Sequence, residues 1–188
     1  MECKFDLPVS QEELEKLRAG DRVILSGVIY TARDAAHKRL TELMSAGGIL
    51  PIELSGTAIY YAGPTPEKPG EVIGSAGPTT SGRMDPYAPM LLDAGLKMMI
   101  GKGNRSSEVI DAIVRNHAVY FAAMGGAGAL MGSCVDTVDI VCYEDLGCEA
   151  IRRLEVKNMP LTVAIDSRGE NIYSSGPKAY LESLGAKK

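Results

Sequence analysis

The chain has 188 residues and a mass of 20.0 kDa, is 45% hydrophobic and 23% charged, and carries a formal net charge of −4 with a pI near 5.3. A chain of this size buries about 70% of its unfolded surface, so residues 1–188 are read as one domain. The acidic balance, with no basic or aromatic-interleaved run, argues against nucleic-acid binding; no stretch approaches the roughly 18 consecutive apolar residues of a membrane span, and MECKFDLPVSQEELEKL lacks a signal-peptide core, which points to the cytoplasm.

From the N-terminus, Ser10 and Glu13 form a capping box that opens a short helix closing at Gly20. The β-branched run Arg22 to Tyr30 predicts a strand, Asp34 to Ala46 a helix, and Gly47-Gly48 a stop. Ile52 to Leu54 and Ala58 to Tyr61 read as short strands, with PTPEKPG over 64–70 as a rigid loop. The apolar run EVIGSA, 71–76, reads as a strand that the chain leaves at Gly77-Pro78. Asp85-Pro86 then reads as an N-cap with Pro at the first helical position, and Gly95 ends that helix. Leu96 to Ile100 predicts a buried strand, Ser107 to His117 a helix capped by Ser106, and Val119 to Ala123 a strand. Gly125 to Met131 is a small-residue turn into a helix, Val138 to Tyr143 a strand, Cys148 to Lys157 a helix and Leu161 to Ile165 a strand. Asn171 to Tyr173 closes a hairpin over Ser167-Arg168-Gly169, and Pro177 to Leu184 is a last helix. Strands and helices mix without strict alternation, which predicts an α/β domain with a mixed sheet.

The tract GPTTSGRMDPYAPMLLDAGLKMMIGKGNRS, residues 77–106, carries the chemistry. Thr79, Thr80, Ser81 and Gly82 offer hydroxyls and backbone N–H groups in one turn, a concavity suited to an anionic oxygen. Arg83 adds a planar fork that matches a carboxylate or phosphate bidentately. Lys102 stands between Gly101 and Gly103 at the end of the next strand, where backbone can approach a ligand closely. GPTTSGR alone also fits a plain solvated turn; its pairing with GKGN at successive strand ends is what points to a site. Neither a Walker A order nor G-x-G-x-x-G is present.

Three other features have plainer readings. His37, three residues after Asp34, reads as a surface or capping partner rather than a catalytic dyad. Arg105 reads as surface charge, and Gly125-Gly126 as close backbone packing beside the site. Glu144, Asp145 and Glu149 read as a solvated acidic face, or one turned to a partner. Cys3, Cys134, Cys142 and Cys148 form no C-x-x-C pair and read as free thiols, so no metal site is assigned to this chain.

GPTTSGRMD and GKGN, preceded by TARDAAHKR at 31–39 and followed by YFAAMGGAGAL and YEDLGCEAIRRLEV, resemble the C-terminal region of the iron–sulfur class I fumarases and L-tartrate dehydratases. The resemblance runs from about Ser10 to Ile165 and implies the swivelling β/β/α type of domain. In many bacteria and archaea that region is a separate β subunit, and a chain with its own Met looks like that arrangement. What the resemblance implies is a hydro-lyase active only with an α subunit, which holds the three cysteine ligands of a [4Fe–4S] cluster. The substrate would be a small dicarboxylate, with fumarate first and L(+)-tartrate second, and homodimerisation of the αβ unit stays open. Arg33, Arg83 and Lys102 match the family's substrate anchors, Lys102 with a catalytic part, and Thr79 matches the hydroxyl proposed as base. A stand-alone small-anion-binding module without catalysis remains the reading from another class.

Overall fold

The β-branched decamer RVILSGVIYT forms β2 (Arg22–Thr31), with Val23, Leu25 and Ile29 turned inward on the two-residue period of a strand. In the computed structural model, which describes residues 2–185, its neighbours are β1 (Glu2–Asp6), β3 (Ala58–Tyr60), β4 (Met98–Gly101), β5 (Val119–Ala122), β6 (Val135–Cys142) and β7 (Ile151–Ile165). The helices are α1 (Gln11–Lys16), α2 (Asp34–Ser45), α3 (Ala88–Asp93), α4 (Ser107–Arg115), α5 (Gly128–Ser133) and α6 (Ile172–Gly185).

β2 pairs parallel with β1 through Glu2↔Arg22 to Asp6↔Ser26, and past a register shift between Leu25 and Gly27 it pairs parallel with β3. β3, β4 and β5 continue in parallel, Tyr60 beside Ile100 and Gly101 beside Ala122. The fifteen-residue β7 runs antiparallel to β2 along one edge and to β6 and then β5 along the other. The pairings β2–β3–β4–β5–β7–β2 therefore close a ring, with β1 and β6 left as the edge strands beside β2 and β7. The expected mixed-sheet α/β class is what the chain adopts.

Alternation along β3 to β5 divides the core. Ala58, Tyr60, Met98, Ile100, Val119 and Phe121 fill the interior of the ring with residues of β2 and β7. Ile59, Tyr61, Met99 and Tyr120 point the other way, under the buried faces of α2, α3 and α4. The capping box opens α1 as expected: Glu13 N–H donates to Ser10 Oγ at 3.3 Å, and Ser10 N–H donates to Glu13 Oε2 at 3.1 Å.

Several expectations are corrected. Residues 148–157 are not a helix: EAIRRLEVK has good helix formers, but pairing along both edges of β7 overrides that preference. Ile52 and Leu54 are buried anchors in a loop rather than a strand, and residues 71–76 are loop as well. Asp85 does not cap a helix. Residues Ser81–Met84 form a 3-10 turn, α3 starts at Ala88 after Tyr87, and the Asp85 carboxylate is used elsewhere. The strand β1, unannounced by its alternating polar sequence, completes the sheet beside β2.

Candidate active site

Four parallel strands, β2 to β5, end at one rim, and the carboxyl ends of such strands are where α/β sheets place their ligands. Arg33 lies two residues past β2, at the start of α2. Lys102 follows β4 directly. The loop after β3 returns its GPTTS run between these ends. Pro78 bridges Ala62, Thr79 N–H donates to the Tyr61 carbonyl at 2.6 Å, and Thr80 bridges Lys102. Ser81 N–H donates to the Lys102 carbonyl at 2.9 Å, and Lys102 N–H donates to Ser81 Oγ at 3.0 Å. Thr79 is thus fixed by its backbone, half-buried, between the ends of β3 and β4.

The two arginines meet on one carboxylate. Arg83 Nε lies 2.6 Å from Asp34 Oδ1, and Arg33 Nε lies 3.7 Å from Asp34 Oδ2. Arg33 reaches across the end of β3, where a Cβ on Gly63 would stand 2.6 Å from its Nη1 and 3.2 Å from the Cys148 carbonyl, so a larger residue there would displace the guanidinium. Its Nη2 lies 3.5 Å from Glu149 Oε1, while Glu149 Oε2 accepts the Ala35 N–H at 2.9 Å. Arg33 has no side-chain cap to offer α2, and Glu149 supplies it from the 3-10 turn before β7. Arg33, Thr79, Arg83 and Lys102, expected from the sequence to share a site, are brought to one rim. Lys102 lies with its stem beside Gly125, whose Cβ position would be 3.7 Å from Lys102 Cδ.

The acidic cluster is not simply a solvated face. Asp145 pairs with both ends of the Arg39 guanidinium, and Glu149 turns to Arg33. Arg105 is the larger correction: its side chain is fully buried. Nε donates to Asp85 Oδ1 at 2.7 Å, and the guanidinium lies over the rings of Tyr61 and Tyr120 at 5.3 and 5.1 Å. Asp85 Oδ2 accepts the Ser106 N–H at 2.7 Å, and Ser106 caps α4. Tyr120 OH donates to Ser81 Oγ or to the Gly103 carbonyl, each at 2.9 Å. This layer ties the GPTTSGRMD segment to GKGNRS from below. Its sequence signal was Asp85 in a loop before Pro86, with tyrosines just past β3 and on β5, the strands on either side of β4.

The Ser81 hydroxyl fits against β4 only because position 101 is glycine. A Cβ there would lie 2.0 Å from Ser81 Oγ and 2.9 Å from Tyr61 Cδ2. Gly101→Ala is expected to cost about 1–3 kcal/mol by overpacking, measured by urea unfolding. A stability equal to the parent's would show that Ser81 is not wedged.

His37 is buried, against the surface reading. Its Nδ1 lies 3.0 Å from the Arg33 carbonyl, which can only accept, so Nδ1 carries the proton; Nε2 has no partner. Burial lowers its pKa from 6.5 to about 4; the Arg33 carbonyl opposes the shift and the Arg105 charge adds to it. The sign follows from linkage. Between about pH 6.5 and 4 the unfolded chain binds a proton at His37 that the folded chain does not, so stability rises with pH across that window and is level in this respect above it. The loss on acidification amounts to about 3 kcal/mol from this group. In urea unfolding at pH 7 and pH 4.5, His37→Asn should lose less stability between the two than the parent does; an equal loss would contradict a neutral buried ring.

The cysteines stay apart: Cys134 is buried, Cys3 and Cys142 are half-buried and Cys148 is exposed, all free. Among the described residues no three or more His, Cys, Asp or Glu side chains converge on a point that would hold a metal. The donors among the described residues therefore do not fit an iron–sulfur cluster.

Comparison with known proteins finds relatives that match nearly the whole chain. The chain is 37% identical over 169 residues to "Fumarate hydratase 1, mitochondrial" of Leishmania major, 89% of this chain but 31% of that protein. It is 38% identical over 163 residues to "Fumarate hydratase class I, anaerobic" of Escherichia coli, 86% of this chain and 30% of that protein. It is also 38% identical over 190 residues to the "Putative L(+)-tartrate dehydratase subunit beta" of Methanocaldococcus jannaschii, covering 98% of this chain and 97% of that one. The chain thus spans under a third of the length of those two fumarate hydratases, while matching the archaeal subunit almost end to end. The sequence profile of the Fumarase C-terminus family matches residues 1–176, nearly the whole chain, which therefore belongs to that family.

Proposed function

We propose that this chain is a β subunit of a two-chain hydro-lyase that hydrates fumarate reversibly to malate. The observation that carries this reading is the rim itself: two guanidiniums on one carboxylate, beside a fixed threonine and a lysine, at the carboxyl ends of parallel strands. Arg83 and Arg33 hold the substrate carboxylates. Lys102 stabilises the charge that builds on a carboxylate as the neighbouring carbon loses its proton. Thr79 is the group placed to take that proton; a threonine hydroxyl is a weak base, so its activation falls to the cations Lys102 and Arg83. The [4Fe–4S] cluster is assigned to an α subunit on the family resemblance; among the described residues of this chain no metal-binding donors converge. One domain, working in the cytoplasm, completes the reading; no helix of the described residues is long and apolar enough to cross a membrane.

A second reading, L(+)-tartrate dehydratase, is favoured by the near end-to-end match to the archaeal subunit. Both substrates need the same anchors. Co-expression with an α-type chain, anaerobic reconstitution of iron and sulfide, and assay with fumarate and with L(+)-tartrate decide between them. Activity with neither, together with retained binding of a small dicarboxylate, would leave only a stand-alone anion-binding module. Purified alone, the chain is expected to be folded, colourless and inactive. Stoichiometric iron and sulfide whose visible absorption disappears in Cys142→Ser or Cys148→Ser would overturn the assignment of the cluster to the partner.

A further inference from the structure

Asp34 opens α2 with its carboxylate between the two arginines, and each arginine meets it through Nε, the inner edge of the guanidinium. The Arg83 side chain is 53% exposed. The Arg33 contact is incomplete. Arg33 Nε and Asp34 Oδ2 are both buried without a hydrogen-bond partner, although they lie 3.7 Å apart, while Nη2 of the same guanidinium lies 3.5 Å from Glu149 Oε1. An unmade bond between two buried ionic atoms is costly. It closes with a shift of about 1 Å, from 3.7 Å to an ordinary charge-assisted length. A structural ion pair has no reason to be held open at this distance; a guanidinium that must re-seat when an anion arrives does.

We infer that Asp34 is the positioning residue that spaces the two carboxylate-binding guanidiniums, and that Arg33 re-seats from Glu149 onto Asp34 when an anion takes its outer nitrogens. Without Asp34 the two like charges repel and the distance between them is no longer set. The consequence is selective: a ligand with two carboxylates at a fixed separation depends on that spacing, whereas a ligand with one carboxylate needs a single arginine. Asp34 thus selects for dicarboxylates. This inference rests on the proposed anchoring role of Arg33 and Arg83, but not on the identity of the reaction.

The test is calorimetric binding of succinate and of propionate to the two-chain complex, with wild-type chain, Asp34→Asn and Asp34→Ala. Asp34→Asn keeps the shape and an acceptor for Arg83 Nε, so it reads the loss of charge even where Asp34→Ala fails to fold. The preference for succinate over propionate is expected to fall about 10- to 100-fold in Asp34→Asn, the scale of a misplaced anchoring group, with propionate affinity nearly unchanged. A structural role alone would weaken both ligands alike, and an equal loss, or no loss, overturns the inference. Wild-type complex that binds succinate but hydrates neither fumarate nor tartrate would sink the proposed reaction and leave the preference measurable. Wild-type complex that shows no succinate preference would remove the anchoring role and this inference together.

Discussion

Asp85→Ala is expected to destabilise the folded chain by about 3–5 kcal/mol, the cost of leaving a buried charge without its partner. The Arg105 side chain has no exposed surface, and Asp85 supplies its ionic contact at 2.7 Å while also accepting the Ser106 N–H. The tyrosine faces and the contact to Met99 Sδ are weaker substitutes for a carboxylate. Replacing both members, Asp85→Ala with Arg105→Met, should cost less than the single change, because the uncompensated charge goes with its partner. Urea unfolding of the three variants gives the comparison. A single-variant loss below about 1 kcal/mol would mean that water or another group solvates Arg105, and that the layer beneath the rim is not held by this pair.

The second large effect concerns the rim. In the reconstituted two-chain enzyme, Arg83→Lys is expected to lower kcat/KM by about 30- to 1000-fold, or about 2–4 kcal/mol of transition-state stabilisation, with assembly intact. The reason is geometric. Arg83 pairs with Asp34 through Nε at 2.6 Å, and in the proposed site its other nitrogens would take a carboxylate, a division of labour that a single ammonium cannot reproduce. Thr79→Val keeps the shape of a half-buried side chain whose backbone is fixed to Tyr61, and removes only the hydroxyl. It should lower kcat far more than it raises KM. Turnover near that of the parent would eliminate the hydroxyl as base and leave the arginines and Lys102 as anchors only.

The sequence by itself determined the strands and helices that rest on local signals. The Ser10–Glu13 box, the apolar runs of β2, β4 and β5, and the Ser106 cap of α4 each carry their own cause within a few residues. It also singled out Thr79, Arg83 and Lys102 through the pairing of GPTTSGR with GKGN, and Arg33 through the family resemblance; Arg33 and Lys102 follow β2 and β4, whereas Thr79 and Arg83 lie in the loop and 3-10 turn between β3 and α3. What the tertiary structure decided was everything set by partners distant along the chain. The first half of β7 reads as a helix until both of its edges are paired, and the ring closes only through the pairings of β7. Arg105 reads as surface charge until Asp85, Tyr61 and Tyr120 surround it. His37 and Glu149 become elements of the site because α2 packs its first turn against β3 and the turn before β7. Local pattern fixes where a side chain leaves the backbone; only the fold brings in the charges and the burial that decide what that side chain can do.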